Sequence, residues 1–162
     1  MKYIETGYLS LDDIRLPSDE RLAQGPVAII ECVQQIPCNP CVDSCPRGAI
    51  SMGDSINNVP VVDFNVCNGC SVCVANCPGL AIFIVDRSYG ENTSLVGMPY
   101  EFLPLPEKDE EVILFSRKGE ECGKGVVRRV RNSKAQDRTP VIFIEMDKDL
   151  ALEARFFRRK TT

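Results

Sequence analysis

Cys67-Asn68-Gly69-Cys70-Ser71-Val72-Cys73-Val74-Ala75-Asn76-Cys77-Pro78 is the stretch on which the reading of this chain turns. Its cysteines are spaced x2, x2 and x3, and a proline follows the last. Three thiolates on one tight loop can occupy three corners of an iron–sulfur cubane, and the fourth must then come from elsewhere in the chain. The proline ends the local turn. Asn68-Gly69 frees the backbone to wrap a cluster and to aim amide hydrogens at sulfur. Val66, Val72, Val74 and Ile82 can supply an apolar shell that limits water. A zinc site built from paired CxxC motifs needs neither the third spacing nor the trailing Cys-Pro, and is the lesser reading.

Upstream the theme recurs as Cys38-x2-Cys41-x3-Cys45-Pro46, with Cys32 before it. Cys38, Cys41, Cys45, Pro46, Ala49 and Ile50 correspond, at an offset of 32, to Cys70, Cys73, Cys77, Pro78, Ala81 and Ile82. Val27 to Ile30 corresponds to Val59 to Val62, and both short β-branched runs read as strands. Each half is thus expected to run strand, cysteine loop, short helix, strand, with the last strand starting near Ala49 or Ala81. Gly53 to Asn58 reads as the loop between the halves.

The spacing is similar to that of bacterial-type ferredoxins, whose fourth cysteine ligates the other cluster of a pair. It implies an α+β fold with a pseudo-twofold repeat and two [4Fe–4S] clusters. With that exchange, one cluster takes Cys32, Cys38, Cys41 and Cys77, and the other takes Cys67, Cys70, Cys73 and Cys45. The first set departs from the regular pattern, which would place a cysteine where Gln35 stands. Three arrangements are open. Cys32 reaches the cluster through a longer loop bent at Ile36-Pro37; the site holds three cysteines and a [3Fe–4S] cluster; or Cys32 is a core residue and another ligand completes the cubane. The first is preferred, since five intervening residues give ample reach. Cys122 has no partner at ligand spacing. Its neighbours Glu120 and Glu121 raise a thiol's pKa rather than activate it, so an inert thiol is expected.

The chain of 162 residues has nine cysteines, no histidine and no tryptophan. Lack of histidine removes the commonest general acid/base and the Cys/His zinc finger, which shifts weight from catalysis towards carrying a cofactor. The odd cysteine count argues against a closed disulfide framework. No apolar run is long enough to span a bilayer, and the acidic start lacks a secretory signal, so a cytoplasmic setting is expected. Net charge is −4, unevenly spread: residues 1–97 hold 5 basic and 11 acidic side chains, whereas residues 117–162 hold 13 and 7. Arg128-Arg129-Val130-Arg131 and Phe156-Phe157-Arg158-Arg159-Lys160 could meet phosphates, but an acidic chain with two redox clusters makes nucleic acid a minor reading. Docking of the latter segment into another subunit is preferred.

Four segments are expected: an N-terminal arm (1–25), a dicluster ferredoxin domain (26–97), a proline-rich linker (98–107) and a small β-rich extension (108–162). In the arm, Ser10 and Ser18 are candidate helix caps, and so short an arm must lie on the chain's own core or on a partner. In the extension, strands are expected at Val112 to Phe115, Gly125 to Val130 and Val141 to Met146. Alternation in Val126-Val127-Arg128-Arg129-Val130 is imperfect. Turns are expected at Arg117-Lys118-Gly119, Gly123-Lys124-Gly125 and Asp137-Arg138-Thr139-Pro140, and a short amphipathic helix at Asp147 to Phe156.

Val27-Ala28-Ile29-Ile30-Glu31-Cys32, Ile36-Pro37-Cys38-Asn39-Pro40-Cys41 and Cys45-Pro46-Arg47-Gly48-Ala49-Ile50 resemble the small ferredoxin-like subunits of multisubunit FAD-dependent amino-acid and amine dehydrogenases, of proline, hydroxyproline, opine or sarcosine type. Asp137-Arg138-Thr139-Pro140-Val141 and Arg155-Phe156-Phe157-Arg158 are similar to that group's C-terminal extension. The resemblance implies a hetero-oligomer in which an FAD subunit oxidises a C–N bond. This chain would then be the iron–sulfur subunit that relays electrons from or between flavins (FAD or FMN), and to a [2Fe–2S] subunit where one is present. A free-standing dicluster ferredoxin serving several oxidoreductases, and a structural Fe–S interaction module, are the alternatives.

Overall fold

The computed structural model describes residues 3–136 and 139–160; Asp137 and Arg138 of the expected turn lie outside them. Strands dominate. A seven-stranded antiparallel sheet has the order β1-β4-β5-β8-β7-β6-β9, and β2 (Ile50–Ser51) pairs with β3 (Val61–Val62) apart from it. The large sheet comprises β1 (Val27–Ile30), β4 (Ile82–Asp86), β5 (Thr93–Pro99), β6 (Glu111–Ser116), β7 (Glu121–Arg131), β8 (Val141–Asp147) and β9 (Ala154–Arg159). The described residues also include four short α-helices: α1 (Tyr3–Thr6), α2 (Asp19–Leu22), α3 (Pro40–Asp43) and α4 (Val72–Asn76). Among the described residues no helix is long and apolar enough to cross a membrane.

Alternation along the central strands assigns their side chains to two cores. Val27, Ile29, Phe83, Val85, Val96, Met98, Ile142 and Ile144 face one side. Ala28, Ile30, Ile82, Ile84, Val141 and Phe143 face the other, together with Cys41, Cys73 and Val74. Burial on both faces explains why these strands read as unbroken apolar runs rather than as alternating ones. The second core is the one that backs the cysteine loops.

The first core is closed by the extension and by the leader. Val112, Leu114, Val127, Ala154 and Phe157 pack into it with Ile14 and Leu22, so the arm lies on the chain's own core. Ser18 caps α2, accepting from the Arg21 amide, and Ser10 and Asp13 form a capping box around a single 3-10 turn. Strand β5 crosses position 97 and joins the cysteine-bearing strands to the rest without a break in the sheet.

Three local expectations fail. Asp147 to Phe156 holds a 3-10 turn at Lys148–Leu150 and then β9, because Ala154 and Phe157 bury on one face while Phe156 and Arg158 stay out. Gly123 and Gly125 lie within β7 rather than in a turn. A Cβ at Gly125 would come 2.5 Å from Ile144 Cγ2 and 3.0 Å from Glu145 O, so close packing favours glycine there. Finally, Thr93–Pro99 carries a strand where none was expected.

The sheet's two edge strands are linked by charge rather than by a ladder. Glu31, directly after β1, accepts from Arg117 Nε (2.9 Å) and Nη2 (2.5 Å) in the β6–β7 turn and from Arg155 Nε (2.5 Å) in β9. All three side chains are 5–7% exposed. Burial pulls the Arg155 pKa down while Glu31 opposes that pull. Removing the anion would leave the buried Arg155 without a carboxylate and Arg117 with only the half-exposed Glu153 at 3.6 Å. Glu31→Gln is therefore expected to cost about 3–5 kcal/mol, read as a Tm roughly 6 °C or more lower in anaerobic thermal unfolding. An unchanged Tm would show that the triad does not tie the two edge strands together.

Candidate metal centre

Two strand–loop–helix–strand passages carry eight cysteines: β1, α3 and β2 flank Cys32, Cys38, Cys41 and Cys45, and β3, α4 and β4 flank Cys67, Cys70, Cys73 and Cys77. Antiparallel pairing of β1 with β4 sets Ile30 opposite Ile82, and the Glu31 amide donates to Ala81 O at 2.8 Å. The start of the first cysteine segment is thereby laid beside the end of the second.

The thiols sort accordingly. Burial pushes Cys73 up to about 12, and Cys67, Cys70, Cys45 and, least, Cys41 add to the rise. Burial pushes Cys41 up to about 11, with Cys77 and then Cys32 adding to it. Cys32 is raised by burial, against the opposing Gln34 amide, with smaller contributions from Cys77 and Cys38. Cys45 of the first passage thus adds to the rise at Cys73, and Cys77 of the second to the rise at Cys41 and Cys32. Thiols this reluctant to ionise in water become thiolates when a cation takes the proton's place.

Main-chain amides point at three of the sulfurs. Ala28 donates to Cys67 Sγ and Ala49 to Cys45 Sγ, both at 3.3 Å, and Ala81 donates to Cys77 Sγ at 3.5 Å. The last two are the same bond recurring 32 residues on. A small, almost wholly apolar pocket lies among Cys45, Cys67, Cys70 and Cys73, walled by Ala28, Ala49 and Ile84. Among the described residues no group of three Cys, Asp or Glu closes on a single metal ion. A polynuclear cluster does not need that closure, since each thiolate binds a different iron. An all-cysteine donor set, amides directed at sulfur and apolar walls fit a [4Fe–4S] group.

Residues outside the motifs hold the second loop. Arg21 in α2 donates to Phe64 O (2.6 Å), Gly25 O (3.0 Å), Pro26 O (3.2 Å) and Cys67 O (2.8 Å). Arg131 in β7 donates to Cys70 O and to Ser71 Oγ, the latter at 2.7 Å. Arg21 was not singled out from the sequence, and Arg131 appeared only in a basic stretch read for phosphates, because each lies far along the chain from the loop it grips. Elsewhere the basic stretches are used internally: Arg128 pairs with Asp109 and Glu145, Arg159 with Glu110, and Lys160 with Glu111. Cys122 is half-buried in β7, away from these thiols, and burial followed by Glu153 and Glu121 raises its pKa.

The family model of the 4Fe-4S dicluster domain matches residues 32–91, a span that contains all eight cysteines. A stretch of 61 residues is 39% identical to the Ferredoxin-type protein NapF of Haemophilus influenzae, covering 36% of this chain and 35% of that protein. The chain thus spans about a third of the length of this relative. No solved structure matches it significantly.

Gly69 shows how tightly the loop is set. Its φ is +68°, and a Cβ there would stand 2.5 Å from Pro26 Cβ. Gly119 has a similar φ of +78° with open space around it. Gly119→Ala is expected to cost about 1–2 kcal/mol from backbone conformation alone, whereas Gly69→Ala should cost more and shed iron from the isolated protein. Equal costs and equal iron contents would mean that contact with Pro26 does not fix the loop.

Proposed function

We propose that this chain carries electrons through two [4Fe–4S] clusters in a bacterial-type 2[4Fe–4S] ferredoxin fold. Cys32, Cys38, Cys41 and Cys77 would hold one cluster; Cys67, Cys70, Cys73 and Cys45 would hold the other. The observation that supports this most is that Cys45, from the first motif, lines one small pocket with Cys67, Cys70 and Cys73 of the second, while β1–β4 pairing lays the start of the first passage beside the end of the second. The β1–β4 pairing, which lays the start of the Cys32 segment beside the strand that follows Cys77, supports four cysteines at the first site over a [3Fe–4S] arrangement. Such clusters, when bound, supply reversible one-electron transfer. The chain's own part is to fix the thiolates, keep water off them with Ile30, Ile82, Ile84 and Val74, and direct amides at sulfur.

The same proposal extends to a place in a cytoplasmic FAD-dependent amino-acid or amine dehydrogenase complex, with the chain as its electron-transfer subunit and substrate chemistry left to a flavin elsewhere. The sequence resemblance supports that extension, as does an exposed apolar tip. Phe102 and Leu103 are 59% and 87% exposed beside Phe156, a surface suited to another subunit.

Anaerobically isolated protein is expected to contain about eight iron and eight sulfide ions per chain. Cys73→Ser should lose about half of each, and Cys122→Ser neither; zinc in place of iron would refute the reading. Anaerobic co-purification with a flavoprotein is the expected behaviour of the native chain, and elution as a lone species of monomer mass would refute the complex while leaving the clusters intact.

A further inference from the structure

Two segments outside the cysteine passages, the leader and the extension, send one arginine each to the same cysteine loop. Arg21 bonds Cys67 O and Arg131 bonds Cys70 O and Ser71 Oγ. Among the described residues neither is paired with a carboxylate. The nearby carboxylate, Asp63, is exposed and accepts from the Asn65 amide.

The other set has no such surplus. Arg117 and Arg155, the cations near Cys32, are balanced by Glu31 and Glu153. Asp43, between Cys41 and Cys45, is exposed and held by Asn39. One set of thiolates is bordered by two arginines without carboxylate partners and the other by a neutral network, while Asp43 lies between a cysteine of each set.

The aim of Arg131 depends on an irregularity in its strand. Register between β7 and β8 slips between Val127 and Arg129. Val127 faces the first core, and strict alternation would send residues 129 and 131 the same way. The extra residue turns Val130 inward instead and sends Arg129 over the Phe143 ring, with Arg131 onto the cysteine loop. Bulges of this kind re-aim side chains next to functional sites.

We infer that Arg131, seconded by Arg21, is a positioning residue that makes the Cys67–Cys70–Cys73–Cys45 site the higher-potential member of the pair, so that the first electron to enter the chain rests there. The inference depends on the two-cluster reading. An added electron is negative, and cations fixed beside the thiolates in a partly buried site favour the reduced state. Each site takes up one electron without bond or proton change, dithionite being the donor in the test.

The test is potentiometry followed by EPR on the intact protein, with iron and sulfide counted in the same samples. Wild type should show two one-electron steps. Arg131→Gln should lower the upper step, cutting the reduced-to-oxidised ratio at the wild-type midpoint at least threefold, and leave the lower step in place. Arg131→Lys, which keeps the charge, should restore the upper step. Should R131Q shed iron, Arg21→Gln is expected to lower the upper step in its stead. An upper step that does not move in the cluster-loaded variant, or a shift confined to the lower step, would overturn the inference and leave the two-cluster reading standing. Wild type without iron and sulfide would overturn both.

Discussion

Strands β1, β4, β5 and β8 bury both of their faces, and the rest of the molecule follows from that constraint. One face must be covered by the cysteine loops with α3 and α4. The other can be covered only by something outside them, and the leader and the extension do so. Val27 and Ile29 pack with Leu114 and Phe157 across a single core. A stretch of about 60 residues is marginal as an independent unit. Here it shares the sheet with the cysteine-bearing strands and draws its stability from them.

That sharing gives the added segments an electrostatic role. Their charged residues mostly turn inward onto the chain: Arg117 and Arg155 neutralise Glu31 next to Cys32, and Arg21 and Arg131 grip the carbonyls of the Cys67–Ser71 loop. The positive charge of residues 117–162, which from composition alone suggested a surface for a partner, is to a large extent spent within the molecule. Phe102 and Leu103, by contrast, stand exposed at the surface.

The cysteine passages were legible because their chemistry is local. Spacing along a loop decides which thiols can share a cubane, and β-branched runs beside the loops announced β1 and β4. Ser18 announced α2 in the same way. The clamps were not legible, since nothing at Arg21 or Arg131 signals a partner tens of residues away. The one trace was the broken alternation from Val126 to Val130, which is the footprint of the bulge that aims Arg131. Strand β5 was hidden because Thr93-Ser94 and Gly97 weaken its propensity, while pairing on both sides overrides it. At Asp147 to Phe156, helical spacing of Leu150, Leu152 and Phe156 competed with the alternation of β9, and pairing with β6 decided it.

The central claim is that β1–β4 pairing makes the two passages exchange a thiolate. EPR of dithionite-reduced single variants tests it most directly. If the exchange holds, Cys45→Ser disturbs the same signal as Cys67→Ser, and Cys77→Ser disturbs the same signal as Cys38→Ser. If instead Cys45→Ser disturbs the signal that Cys38→Ser does, each passage completes its own cluster, and the account is wrong.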